Sequence, residues 1–332
     1  MSLSPTAEGF RTAFRRPLFS FAEISWRWTF GGTAIVLLFF GLVEFFNTLP
    51  VTSGELFFLR TKQPFLVEQA IAHILRGSLG RGVMSLTVAG LLLMVFWLFA
   101  ASFGRSVTVR ALVDYFRREG SNEVRGYWWP LLNLNFLRVV VLIAVGIGFC
   151  GAAGLAGAVA PSNGSAPGVG FVVFLPIAAL IFLAGWVLNW FLSLAGIFVV
   201  RDGEDALGAL AVAASFCEER AGSVFAVSAW TGLAHLAAFV IGSSAVSMLV
   251  GLAGALPWRA VALGIVVITL VYFAFADWLY LARLAGYVFI AETPESLLRP
   301  PIPTPPVVPP EQTTIDRDEL ILSDVPGLVP GT

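Results

Sequence analysis

The chain has 332 residues, 58% of them hydrophobic and 12% charged, with a net charge of −1. A soluble globular protein carries about 25% charged and about 45–50% apolar residues, so lipid must be the solvent for much of this chain. The charge balance carries no nucleic-acid footprint. The two cysteines, Cys150 and Cys217, are far apart and form no C-x-x-C pair, so neither a disulfide framework nor a zinc site is expected.

Residues 1–28 carry Arg11, Arg15, Arg16 and Arg27 but no apolar run ending in a cleavage site. They read as a cytoplasmic N-terminal segment rather than a removable signal. A bilayer core of ~30 Å needs ~20 mostly apolar helical residues. Six segments meet that requirement: residues 29–48, 83–103, 131–160, 169–200, 224–256 and 260–290. The last four exceed one crossing, which implies tilt or extension beyond the bilayer. Tyr127, Trp128 and Trp129 before the third span, and Trp258 before the sixth, suit membrane–water interfaces. The expected fold is an all-α membrane protein: a transmembrane bundle over residues 29–291 with about six spanning helices and interfacial amphipathic helices.

Three connecting segments are amphipathic. Val67, Ala70, Ile71, Ile74 and Leu75 recur at helical spacing after the first span, as do Val109, Leu112, Val113 and Phe116 after the second. Leu207, Leu210, Ala214 and Cys217 repeat the pattern more weakly between the fourth and fifth. Such helices lie in the interface plane or pack on the bundle's inner face. Arg110, Arg117 and Arg118 beside the second stretch suit anionic lipid headgroups. Basic residues concentrate before the first span and between spans two and three, which by the positive-inside rule places both termini in the cytoplasm of a cell (inner) membrane protein. From residue 292 the chain turns proline-rich (PPIPTPPVVPP), then acidic. That composition predicts a disordered cytoplasmic tail over 292–332, able to meet a soluble protein partner.

Ionisable groups within the spans are the main functional pointers, since each is costly in hydrocarbon unless paired or hydrated. Glu44, Arg138, His235, Asp277 and Arg283 qualify. At ~1.5 Å per residue, Arg138 and His235 lie roughly 10–16 Å from the cytoplasmic ends of their spans, and Asp277 lies in the same inner half. Glu44 sits toward the outer half of the first span. Two arrangements are open: Arg138, His235 and Asp277 converge as a polar relay or substrate contact, or Arg138 and Asp277 form an ion pair that fixes helix register. In span three, Gly148, Ala152 and Ala156 offer a small-residue face for close helix packing. There is no G-x-S-x-G and no H-E-x-x-H, so no catalytic site and no cofactor is expected.

The segment after span four begins with Glu204 and continues through Ala209, Leu210, Ser215 and Gly222 to Phe225. In these residues the chain resembles polytopic proteins related to the membrane domain fused to glycerophosphodiester phosphodiesterases. The resemblance covers about residues 125–290 and implies a fold rather than an activity, since the phosphodiesterase domain has no counterpart here. The expected function is a non-enzymatic scaffold or accessory component engaging membrane lipids or protein partners at its cytoplasmic face. The alternative is a small-solute transporter or channel with Arg138, His235 and Asp277 along its path.

Overall fold

The computed structural model describes residues 4–61, 63–117, 128–159 and 168–294. The tail from 295 onward, Arg118 and most of the loop between the third and fourth spans lie outside the described residues. Nine helices lie within them: α1 (Pro5–Arg15), α2 (Pro17–Asn47), α3 (Ser53–Arg60), α4 (Pro64–Phe116), α5 (Trp128–Val159), α6 (Gly168–Asp202), α7 (Ala206–Glu219), α8 (Ala221–Gly251) and α9 (Trp258–Glu292). Six are long and apolar enough to cross a membrane: α2, the Arg76–Phe116 part of α4, α5, α6, α8 and α9. The chain is an all-α, multi-pass membrane protein.

Local chemistry sets the helix limits. The Ser4 side chain accepts a bond from the Ala7 amide and Pro5 occupies the first turn of α1, where its missing N–H is no loss. Arg16 (φ −124°, ψ 70°) interrupts the helix, and Pro17 opens α2. The first spanning helix therefore begins twelve residues before residue 29, and Arg27 lies inside it rather than in a preceding segment. The two amphipathic stretches flanking the second span are not separate helices. No proline follows Pro64 before residue 116, so α4 runs unbroken for 53 residues, about 80 Å at ~1.5 Å per residue. Asp205, whose carboxylate accepts from the Gly208 amide at 2.6 Å, caps α7.

The fully buried side chains cluster at one end of the bundle, where α2, α5 and α8 begin and α4, α6 and α9 finish; this is the near end. Val109, Leu112 and Val113 of α4 and Leu131 and Leu134 of α5 share this core with the buried residues of Leu194–Val200 in α6 and of Leu281–Ile290 in α9. The amphipathic end of α4 is thus a core element. In α7 the face differs from the expected one: Ala209, Ala213 and Phe216 are buried while Leu207 is exposed. Small side chains allow α7 to lie close on α6, leaving its leucine outward. Farther along, α2, α4 and α8 present Leu37, Phe40, Leu92 and Phe239 outward, the surface expected against lipid. The pair α5–α6 stays closely packed through Ala152, Ala156 and Ala178, in line with the small-residue face of span three.

The first helix, α1, lies along α9 at the near end. Gly9 makes this possible, because a Cβ there would overlap the Ala282 carbonyl oxygen. Phe10 and Phe14 hold the pair together against Trp278, with ring centroids 5.7 and 5.5 Å away. Substituting Gly9→Val should cost about 1–3 kcal/mol of overpacking, relieved by lifting α1. Hydrogen exchange should then show the α1 amides losing protection while those of α9 keep most of theirs; unchanged α1 protection would refute this contact.

At the far end, α3 carries a capping box. The Thr52 amide donates to Glu55 Oε2 at 2.7 Å, the Glu55 amide donates to Thr52 Oγ1 at 3.4 Å, and His73 Nδ1 of α4 lies 2.5 Å from Glu55 Oε1. The Thr52 backbone N–H first, and then His73, hold the Glu55 carboxyl at about 2, below its ordinary 4.5. A lowered carboxyl favours the folded state above the unfolded pKa and ceases to do so as pH falls through the folded one. The α3 helix should therefore persist at pH 4.5 and loosen as the pH approaches 2. Exchange rates of its amides measured across that window test this, and a transition centred above pH 4 would contradict it.

Candidate functional site

The near half of the bundle encloses a cluster of charge built from five helices. Glu23 of α2 is fully buried, and its carboxylate is saturated. Oε1 accepts from Arg27 Nε at 2.7 Å, and Oε2 accepts from Trp26 Nε1 at 2.9 Å and from Thr108 Oγ1 of α4 at 2.8 Å. The spacing of Glu23 and Arg27, one helical turn, lets them meet on one face. Arg27 then reaches across to α9, where its other branch donates to Asp277 Oδ1 at 2.9 Å, and Trp28 Nε1 donates to Asp277 Oδ2 at 3.1 Å. One guanidinium thereby ties α2 to α9, and one carboxylate ties α2 to α4. Gly104 brings the last pair close: a Cβ there would run into the Trp26 ring.

Behind this pair lies a cavity of 320 Å³, bordered by Arg27, Arg105, Arg138 and Arg283 and walled by Trp26, Trp97, Trp186, Trp190 and Tyr280. Tyr280 of α9 is its hub. The guanidinium carbons of Arg27, Arg105 and Arg283 lie 4.0, 5.4 and 5.2 Å from its ring centre, and that of Arg138 lies 5.5 Å from the Trp97 ring. Such cation–π contacts contribute ~0.5–2 kcal/mol each but neutralise no charge.

The arginines are unequally satisfied. Arg27 faces both carboxylates. Arg138 of α5 donates to Asn189 Oδ1 of α6 at 2.7 Å and to Asn135 Oδ1 at 3.4 Å; Asn135 is itself fixed by Ser102 of α4 at 2.9 Å. Arg105 is 5% exposed and, among the described residues, donates only to the carbonyl and hydroxyl of Ser193. Its Nε is buried with no hydrogen-bond partner among the described residues. Arg283 has no carboxylate within reach among the described residues and leans on Tyr280. A guanidinium offers five N–H donors, so the cavity is lined with donors that protein acceptors leave unused. Four positive and two negative groups give an excess of two positive charges in a partly apolar enclosure.

The residues read from sequence distribute as follows. Arg138 borders the cavity, whereas Asp277 is bound to Arg27; the two do not pair with each other. His235 is elsewhere, on the exposed side of α8, with its Nε2 3.2 Å from the Tyr272 hydroxyl of α9. Glu44 is exposed in the last turn of α2, at the far end. Arg110 is exposed beside a surface groove with Phe103, Asp114 and Trp128, whereas Arg117 is engaged within the protein, its Nε 3.4 Å from Glu292. Arg201 meets the same Glu292 at 2.8 Å, clasping the near ends of α4, α6 and α9. Sequence reasoning missed Glu23, Arg27, Arg105 and Tyr280. The available signals were the one-turn Glu23–Arg27 spacing flanked by Trp26 and Trp28, and the small, polar stretch from Ala101 to Thr108 interrupting an apolar run.

No family model, curated protein or solved structure matches this chain.

Removing one partner from a buried ion pair leaves an uncompensated charge and costs about 3–5 kcal/mol. Glu23 is more enclosed than Asp277, with 1% against 14% of its side chain exposed. Glu23→Gln should therefore lower the thermal midpoint of the purified protein more than Asp277→Asn does. Equal and negligible shifts in both variants would show that Arg27 does not hold the bundle together.

Proposed function

We propose that this protein is a non-enzymatic membrane component that binds an anionic group inside the bundle, at the arginine cavity. The observation that supports this reading best is the charge imbalance: two uncompensated guanidinium charges, with the buried Nε of Arg105 lacking an acceptor among the described residues. Buried donors without partners are costly, and buried cations more so. An anion supplied from outside relieves both costs at once. Arginine suits this task because its planar fork matches carboxylate and phosphate oxygens and its charge is permanent.

Depth supports the same reading. Arg27, Arg105 and Arg138 each lie ten or eleven residues from the near ends of their helices, about 15 Å at ~1.5 Å per residue. Tryptophan and tyrosine favour membrane–water interfaces, and five of them wall the cavity. We further propose that the near end is cytoplasmic in a cell (inner) membrane. Arg27 and Arg105 belong to the cavity rather than to loops, yet that end still carries Arg11, Arg15, Arg16, Arg110, Arg117, Arg201 and Arg220, against Arg60, Arg76, Arg81 and Arg259 at the far end. An accessory role that senses or holds an anionic membrane constituent from the cytoplasmic side fits both features. His235 stands apart from the cavity, so a transport path through Arg138, His235 and Asp277 gains no support from their positions.

Each charge-assisted bond to the anion contributes ~1.5–3 kcal/mol, so losing one reduces affinity about tenfold or more. Inorganic phosphate should raise the thermal midpoint of the full chain in a concentration-dependent way, and the Arg105→Gln/Arg138→Gln double variant should abolish that rise. A phosphate response of equal size in the double variant would overturn the assignment.

A further inference from the structure

A second cavity, of 480 Å³, adjoins the first. The two share Phe30, Trp97, Arg138, Trp186 and Asn189, so Arg138 and Asn189 form the border between a cationic chamber and an apolar one. Beyond that border the lining is Gly90, Leu93 and Met94 of α4, Leu142 and Val145 of α5, and Phe182 of α6. Along α4, the lining shifts from Arg105 to Gly90 in passing from the first chamber to the end of the second. That is fifteen residues toward the far end of the bundle, about 22 Å at ~1.5 Å per residue. A charged pocket thus adjoins a long apolar groove that runs toward the far end of the bundle.

We propose that the occupant is a single anionic amphiphile, a phosphate-monoester lipid, with its head among Arg105, Arg138 and Arg283 and an acyl chain in the α4–α5–α6 groove. This rests on the anion-binding reading and names the ligand class for that site. Three features select this occupant. The excess of two positive charges matches a phosphate monoester, which carries −1.5 to −2 at neutral pH with three strong acceptor oxygens. The apolar groove and the charged chamber share five lining residues, so one molecule can place its head on one side of that border and its chain on the other. Past the five shared residues the described lining is glycine and apolar side chains alone, which suits a hydrocarbon chain and not a second polar group. Free phosphate shares the head chemistry but leaves the groove without a role.

Gly90 provides the discriminating variant. A Cβ at this position meets nothing within 4 Å, so a side chain can start there without a backbone shift; Gly90→Leu fills part of the groove that Gly90 lines and replaces no arginine. The purified full chain in neutral detergent is titrated with dodecyl phosphate, with inorganic phosphate and with phosphatidylcholine, and bound species are counted by native mass spectrometry. Dodecyl phosphate should bind at least tenfold more tightly than inorganic phosphate, and phosphatidylcholine should not compete. Gly90→Leu should reduce the advantage of dodecyl phosphate at least fivefold while leaving inorganic phosphate unchanged. Arg105→Gln/Arg138→Gln should weaken both anions, with thermal unfolding confirming that each variant is folded.

Inorganic phosphate bound as tightly as dodecyl phosphate would overturn the lipid proposal and leave the anion site standing. A chain advantage that survives Gly90→Leu would overturn the placement of the chain in this groove. Failure of both anions to bind, or binding unaffected by the arginine substitutions, would overturn the site itself.

Discussion

The near half of this bundle is organised by the difficulty of keeping arginine charge inside a membrane protein. Arg27 answers it within the protein, held between Glu23 on its own helix and Asp277 on α9. Because Glu23 is also bound by Thr108, the charge pair joins α2, α4 and α9 where the buried apolar core is concentrated. Arg105, Arg138 and Arg283 are answered only in part, by neutral oxygens and aromatic faces. Neutral acceptors satisfy hydrogen-bond donors but cancel no charge. The cavity that results is held open by side chains that repel one another and are anchored separately on α4, α5 and α9.

The surrounding fold makes this arrangement sustainable. The packing of α9 against α1 and α8, and of α6 against α5 and α7, gives a rigid frame from which Tyr280 and Arg283 project. Trp190 Nε1 donates to the Tyr287 hydroxyl at 2.9 Å, and Ser228 lies 2.6 Å from the same oxygen, linking α6, α8 and α9 beside the cavity. Toward the far end the helices turn apolar residues outward to lipid, and α4, α5 and α6 frame the groove. A charged chamber next to the packed end and an apolar groove next to the lipid-facing end follow from that division.

Much of the fold was legible in the sequence because hydrocarbon imposes a simple rule: about twenty apolar residues per crossing. All six spanning helices answer to that rule. The limits were less legible. Apolarity falls before residue 29, yet helix continues back to Pro17, since backbone hydrogen bonding does not stop where side chains become polar. The same reasoning hid Glu23, Arg27 and Arg105, which sit in the polar margins of apolar runs and look like loop charges until the helices are extended. Arg138 and Asp277 were visible because they interrupt apolar segments outright. Their partners Asn189 and Trp28 were not, because they are brought to them by packing among helices far apart in sequence; only Asn135 lies close by, one turn from Arg138 on α5. His235 shows the opposite case: an ionisable residue in a span whose helix turns it away from the cavity, toward Tyr272.

An anion bound between α4, α5 and α9 would complete the charge of the cavity. High-resolution electron cryomicroscopy of the full chain, purified from its membrane in neutral detergent, tests this most directly. The expected result is a discrete density within hydrogen-bonding distance of the Arg105 and Arg138 guanidinium groups, continuing as an elongated density past Trp97 toward Gly90. A chamber containing only ordered water, or arginines turned away to acidic side chains of the protein itself, would contradict the claim.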